Sequence, residues 1–325
     1  MMKAVLCKAL GPPETLIVED IAEPRPGPAE VVVAVKAVGL NFLDTLIIEG
    51  KYQYKPELPF SPGAEFAGIV SAVGRHVTGF GEGDRVMAYL GWGGCREKVA
   101  VAADNVVPLP AGIGFEAAAG LTVTYGTTIH ALRDRANLKP GESLVVLGAA
   151  GGVGQAAIEI GKVMGARVIA CASSAEKLDF CRRLGADETV NYTQQDLKQA
   201  LRELTDGKGV DVVYDPVGGE LTEPALRALA WNGRLLVVGF AAGEIPRIPL
   251  NLVLLKGCQI VGVFWGEHAR REPERHRTNM ATLLNWCAAA KIRPHVHRTY
   301  RLEETPAALR AIARREVIGK AVVVI

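Results

Sequence analysis

The residues with the clearest chemical reading lie in "LVVLGAAGGVGQ", Leu144 to Gln155. An apolar run enters a glycine cluster, and a helical pattern follows, with Val153, Ala157, Ile160 and Met164 on one face. Strand, glycine turn and helix in that order make an anion cradle. Gly151 and Gly152 let the backbone approach a pyrophosphate, and Gly154 permits close packing of helix on strand. The helix N-terminus adds N–H groups and the positive end of its dipole. Ala149 stands where the usual fingerprint has its first glycine, so the tight turn must accept a methyl group. The expected ligand is a dinucleotide.

The end of the next strand selects which one. A preference for NAD calls for Asp or Glu there, bound to the ribose 2′-hydroxyl. The chain instead reads "CASSAEK", with Ala172 at the acidic position, then Ser173, Ser174 and Lys177. A carboxylate would repel a 2′-phosphate, whereas hydroxyls and an ammonium hold it. NADPH is the expected cofactor. Ser174 also suits a helix N-cap, and the two roles are compatible.

Three residues in "NFLDTLIIEGKY" carry candidate catalytic chemistry: Asn41, Asp44 and Tyr52. A phenol of pKa about 10 can hydrogen-bond a carbonyl and protonate an enolate. The alternative for Tyr52 is a loop tyrosine that anchors the fold. Asn41 can orient a carbonyl or a ribose, or cap the turn after "AVGL". Asp44 is read as the start of a helix, with a proton-relay role as the alternative.

These residues need elements to position them. The chain has 325 residues, 49% hydrophobic and 22% charged, with net charge +2. That length allows two domains, and that balance gives no reason to expect nucleic acid or membrane as a partner. The first 120 or so residues hold short β-branched runs between Gly/Pro turns, as in "EVVVAVKAVGL", "FAGIVSAVG" and "DRVMAYL". They predict an irregular, mostly antiparallel sheet or barrel. From about Thr122 the texture becomes α/β. "SLVVLG", "ARVIACA", "ETVNY", "VDVVYD", "RLLVVGF" and "QIVGVF" alternate with helical segments, the pattern of a doubly wound parallel sheet. After Trp265 the rhythm stops, and "GKAVVVI" closes the chain as a strand. The expected division is 1–121 with 266–325 as one domain and 122–265 as an inserted nucleotide-binding domain.

The six cysteines form no C-x-x-C pair, and reduced thiols in the cytoplasm are expected. The opening "MMKAVLCKALGPPE" reaches Gly11-Pro12-Pro13 too soon for a signal peptide, and no apolar run reaches the roughly 18 residues of a membrane span. "WGEHARREPERHR" reads as a solvated mixed-charge helix start, with an anion-attracting rim as the sharper alternative. His130, His295 and His297 have no partner identifiable from the sequence.

"VGLNFLDTLIIEGKY", "PGAEFAGIVSAVG", "GDRV", "LGAAGGVGQAAIEIGKVMGARVIA" and "VNYT" follow one another in a familiar order and spacing. Together they resemble the medium-chain dehydrogenase/reductase superfamily, and within it the zinc-free NADPH:quinone oxidoreductases related to zeta-crystallin. The resemblance implies a GroES-like catalytic domain with an inserted Rossmann domain and an active site in the cleft between them. It implies that Lys177 and Tyr192 hold the 2′-phosphate and that Thr127 lies on the nicotinamide side. Val153, Phe240 and Phe264 join the cofactor contacts, and Asn41 and Tyr52 line the cleft. Zinc-bearing cousins have a cysteine at Asn41, a histidine at Ala64 and a further cysteine near "AAAGLTV". None is present here, so no metal is expected. Leu46 replaces a tyrosine common in relatives. The implied activity is quinone reduction by NADPH, with 2-enoyl-thioester or enone reduction as the alternative and a non-catalytic, crystallin-like NADPH binder as a third reading. The apolar strand at 259–264 is the implied homodimer edge.

Overall fold

A computed structural model describes residues 1–325. The chain divides into two compact units, Met1–Val123 with Met280–Ile325, and Thr124–Asn279.

The first unit is built on a sheet in which Glu30–Leu40 is central. Its neighbours are Glu65–Val73 and Lys98–Ala102, both antiparallel, and the C-terminal strand Lys320–Val324. Glu65–Val73 continues to Arg85–Tyr89 and Val106–Pro108, while Val296–Arg301 lies parallel to Lys320–Val324 at the other side. Val31, Val33, Val35, Val38, Phe66 and Val86 fill the core, as β-branched runs on a pleated surface should. Register decides what meets at one end of this sheet. Leu40 stands opposite Ala321, and Gly39 opposite Glu65. Lys320, Asn41 and Glu65 therefore converge where the central strand ends. Gly39 is required there, because a Cβ would come within 1.9 Å of the Ala119 carbonyl oxygen.

The second unit is a six-stranded, wholly parallel sheet. Its spatial order is Glu188–Asn191, Arg167–Ala172, Ser143–Leu147, Val210–Asp215, Leu229–Val237 and Gln259–Gly262. Each of the six strands expected from the sequence is present. The order reverses between Ser143–Leu147 and Val210–Asp215, the switch point where open α/β sheets bind ligands. Helices Gly152–Val163, Ala175–Arg183 and Leu197–Leu204 alternate with the strands. Val145, Leu147, Ile169, Val213 and Leu235 make the buried core, fitting strands covered on both faces. Ahead of the sheet, the helix Thr122–Ile129 widens into a π-helical segment, His130–Arg135. No helix is long and apolar enough to cross a membrane.

Candidate functional site

The strand Ser143–Leu147 ends at Gly148, whose φ of 58° suits glycine. Ala149 and Ala150 follow, both buried, so the methyl group at the fingerprint's first position is accommodated. Gly151 is the N-cap of Gly152–Val163, and no side chain caps that end. The N–H groups of the first turn thus have neither an intrahelical partner nor a capping side chain, and Val153 sits half-buried among them. At Gly154 a Cβ would come within 2.5 Å of the Gly148 carbonyl oxygen, so the helix crosses the strand end at a distance only glycine permits. This is the geometry of a pyrophosphate cradle.

Beside it ends the strand Arg167–Ala172. Ala172 is buried, and Ser174 N-caps the helix Ala175–Arg183 through Oγ, which accepts from the Lys177 N–H at 3.4 Å. The neighbouring strand pairs Asn191 with Ala172, and the Tyr192 N–H donates to the Ala172 carbonyl at 3.3 Å. Thr193 Oγ1 donates to the Ser173 carbonyl at 3.3 Å. Ser173, Lys177 and Tyr192 are gathered by two adjacent strand ends and a helix start. No carboxylate occupies either strand end; the acidic residue of the helix's first turn is the exposed Glu176. Phe240 and Phe264 each follow the carboxyl end of a strand and are partly exposed, and Thr127 is half-buried on Thr122–Ile129.

In the first unit, Asn41 precedes the helix Phe42–Ile48, and Asp44 lies at its third position rather than at its start. The Asp44 carboxylate closes back on the helix entry. Oδ2 accepts from the Asn41 N–H at 2.8 Å and Oδ1 from the Gly63 N–H at 3.0 Å. Asp44 is fully buried, and burial pushes its pKa up to about 7 in spite of these two bonds and the Lys320 charge. The Asn41 side chain is turned to a buried ion pair. Its Nδ2 donates to Glu65 Oε1 at 2.8 Å and to the Gly39 carbonyl at 3.3 Å, and its Oδ1 accepts from Lys320 Nζ at 2.6 Å. Lys320 Nζ also donates to Glu65 Oε1 at 2.9 Å and to the Leu40 carbonyl at 2.8 Å. Glu65 Oε2 accepts from the Val123 N–H at 2.7 Å. Lys320 is 2% and Glu65 0% exposed.

Sequence reasoning missed this pair. Glu65 was visible as the lone carboxylate in "PGAEFAG" and Lys320 as the lone cation ahead of "AVVVI". Both enter apolar strands, where an unpaired charge is too costly to bury.

Tyr52 packs against the core of this unit, its ring edge-on to Tyr54 at 5.6 Å, and Tyr54 lies 6.3 Å from Trp92. Burial pushes the Tyr52 hydroxyl up to about 12, with Tyr54 and Asp44 adding to the shift. It therefore stays a proton donor at neutral pH. Leu46 is half-buried on Phe42–Ile48.

The cousins' catalytic zinc does not fit this donor set. Ala64 offers no ligand atom, and the Asn41 oxygen accepts from an ammonium, which would repel a cation.

Two histidine findings depart from the sequence reading. His130 has a partner, with Nδ1 3.0 Å from Asp134 Oδ2. In "WGEHARREPERHR", Glu267 pairs with Arg270 and Arg271 on the exposed side, so these arginines do not form an open anion rim. His268 from the same stretch is buried.

Comparison with known proteins agrees with the fold. Residues 27–111 match the alcohol dehydrogenase GroES-like domain, and residues 152–285 match the model described as zinc-binding dehydrogenase. The chain is 40% identical over 325 residues to the quinone oxidoreductase-like protein 2 homolog of Nematostella vectensis, covering 99% of this chain and 88% of that one. It is 36% identical over 324 residues to a quinone oxidoreductase of Pseudomonas aeruginosa, covering 99% of each. Among solved structures, Escherichia coli quinone oxidoreductase complexed with NADPH aligns with a TM-score of 0.93 at 31% identity, covering 99% of this chain and 100% of that one. The chain is a medium-chain dehydrogenase/reductase, with a GroES-like sheet unit and a Rossmann unit. Within that superfamily it belongs to the zinc-free quinone oxidoreductase family, and it is an oxidoreductase.

Proposed function

We propose that the chain is an NADPH-dependent quinone oxidoreductase that works without a metal at the hydride-accepting centre. The observation that carries this reading is the carboxylate-free end of Arg167–Ala172, with Ser173, Lys177 and Tyr192 gathered on it beside the glycine cradle. When bound, NADPH supplies a hydride from nicotinamide C4. Gly151, Gly152 and Val153 hold the pyrophosphate at the uncapped helix end. Lys177, Ser173 and Tyr192 hold the 2′-phosphate, with Ser174 keeping the helix start in place. Thr127, Phe240 and Phe264 serve the nicotinamide side. Asn41 has both amide protons engaged by Glu65 and Gly39, so it serves as an acceptor, through the free lone pair of Oδ1, for a hydroxyl of the cofactor or substrate. Asp44 holds the turn that presents it.

With no Lewis acid, the acceptor must spread its own developing charge. A quinone does so, taking the hydride and then a proton from solvent. NADPH oxidation measured in parallel with quinones, enones and enoyl-CoA esters tests the reading. Turnover with quinones supports it; turnover with enoyl esters alone overturns it.

The protonated Tyr52 favours a second reading, reduction of an enone or 2-enoyl thioester, in which the enolate left by hydride addition needs a proton.

We further propose a homodimer. Gln259–Gly262 is an edge strand paired on one side only, and Leu250, Leu254, Leu255 and Ile260 expose apolar surface beside it, Leu254 by 78%. All six cysteines are free and five are buried, which fits a reducing compartment, and we assign the chain to the cytoplasm.

A further inference from the structure

We infer that the Rossmann unit carries a divalent transition-metal site formed by His130, Asp134 and His268, distinct from the hydride-transfer chemistry. The three side chains are 8%, 4% and 3% exposed, although they come from the π-helical segment and from the helix Trp265–Arg271. One potential ligand atom of each lies within 4.8 Å of the others. Asp134 Oδ2 is 3.0 Å from His130 Nδ1 and 3.9 Å from His268 Nε2. Ligand atoms sharing a tetrahedral zinc-like ion stand about 3.3 Å apart, as follows from bonds of about 2.0–2.1 Å. The observed separations straddle that value, so a tilt of one imidazole completes the shell. The two rings now stack at 3.8 Å and 12°.

Unsatisfied buried atoms point to an absent ligand. His268 Nε2 has no hydrogen-bond partner. Neither has Asn279 Oδ1, although the same amide donates through Nδ2 to Asp134 Oδ2 at 2.9 Å. Buried polar atoms are seldom left so. Rotating the amide would bring its oxygen beside the carboxylate oxygen, an arrangement that a cation between them stabilises, and Asn279 thereby becomes the fourth donor. The surrounding groups orient this set. His268 turns Nε2 toward Asp134 and Nδ1 toward Glu272 Oε1, 3.3 Å away without a hydrogen bond, and Arg275 and Arg133 lie 3.0 and 3.6 Å from Asp134 Oδ1, which leaves Oδ2 facing the histidines. Two imidazoles, a carboxylate oxygen and an amide oxygen suit zinc or a similar ion.

Arg275 is the competing cation. It is half exposed and free to swing into solvent when a metal neutralises Asp134. The site would clamp Trp265–Arg271 onto the π-helical segment. Trp265, which begins that helix, lies against Gly126, where a Cβ would meet the indole at 2.9 Å. Phe264 precedes Trp265 and Thr127 follows Gly126, both assigned above to the nicotinamide side, so the clamp fixes the segments that carry them.

The test uses the full chain with Cys287→Ser, which removes the one thiol that is not buried. Dialysis against Co2+ should leave one ion per chain, with visible absorption but no thiolate band, displaced by Zn2+. Bound metal should raise the unfolding temperature. His268→Gln and Asp134→Asn should each weaken Co2+ binding at least about tenfold. Arg275→Met keeps every ligand and removes the competing charge, so it should bind Co2+ more tightly, which separates ligation from simple structural damage in the other variants. Failure of the parent to retain Co2+, equal binding by His268→Gln, or weaker binding by Arg275→Met overturns the assignment. Quinone turnover by metal-free protein leaves the proposed function standing whichever way the metal result falls.

Discussion

Lys320→Met removes the buried ammonium but keeps an unbranched stem where Lys320 now packs beside Gly120. Three acceptors each lose one donor: Leu40 O, Asn41 Oδ1 and Glu65 Oε1. Hydrogen bonds to charged groups contribute about 1.5–3 kcal/mol each, but they share one ammonium and do not add. The better guide is the removal of one partner from a buried ion pair, which costs about 3–5 kcal/mol because the remaining charge stays buried. Glu65 keeps Asn41 Nδ2 and the Val123 N–H, which places the expected loss nearer 3. A single global unfolding transition is not assured in a chain of two units, so hydrogen exchange on amides of Glu30–Leu40 and Lys320–Val324 is the suitable assay. Protection there should fall by about 3 kcal/mol, with amides of the Rossmann sheet unaffected. Adding Glu65→Gln should recover at least about 1 kcal/mol, because the orphaned charge is gone. In parallel, turnover should fall, since Asn41 loses the cation that fixes its amide. A loss under about 1 kcal/mol, or a double variant equal to the sum of the singles, would refute the view that Lys320 and Glu65 act as one buried pair.

Lys177→Ala should weaken NADPH binding by roughly ten- to a hundredfold, the worth of one charged hydrogen bond, and leave NADH nearly unchanged; equal losses in fluorescence titrations would sink the 2′-phosphate assignment. Tyr52→Phe should lower kcat on enones at least about tenfold and change quinone turnover little, as steady-state kinetics on both substrate classes will show. Asp44 has its folded pKa raised from 3.8 to about 7, so the folded state binds the extra proton and this contribution to stability is lost as pH rises from about 4 to 7. The loss amounts to at most about 4 kcal/mol at about 1.4 kcal/mol per unit, and Asp44→Asn should not show it; parallel stability profiles for the two proteins would disprove the titration. At Gly262 a Cβ meets nothing within 4 Å, while the Val263 N–H points inward to the Val237 carbonyl, so the Gly262 N–H faces the free edge. Gly262→Pro should therefore yield monomer in sedimentation without unfolding the unit, and an unchanged dimer would exclude this edge as the interface.

The Rossmann unit was legible because its signals are local. Apolar strands separated by helical periods repeat along the chain, and the glycine loop lies within a single strand–turn–helix unit. Ser173, Ser174 and Lys177, proposed above for the 2′-phosphate, are neighbours in sequence, and Tyr192 joins them because adjacent parallel strands end level with one another. Asp44 was read as the start of the helix and lies at its third position. Local sequence shows that a helix begins near "NFLD", but whether Asn41 or Asp44 caps it depends on where the central strand stops.

The buried ion pair was not legible, and its geometry explains why. Glu65 and Lys320 are 255 positions apart, and each looks like the polar end of an apolar strand. Only the register, Gly39 opposite Glu65 and Leu40 opposite Ala321, brings them together. A slip of one residue would turn the alternation over and send the charges to the other face. His268 failed for a different reason. "WGEHARREPERHR" is charged enough to read as solvated, and Glu267, Arg270 and Arg271 do pair at the surface. Within that run, however, Trp265 and His268 stand three apart and are both buried, so one face of the helix turns inward while its average composition stays polar. Periodicity was the stronger signal there, and composition concealed it. Phe264 stands at the start of the same helix, its carbonyl accepting from the His268 N–H at 3.1 Å. The charged stretch is thus better understood as the outer wall of the nucleotide-binding unit than as a rim that attracts substrate.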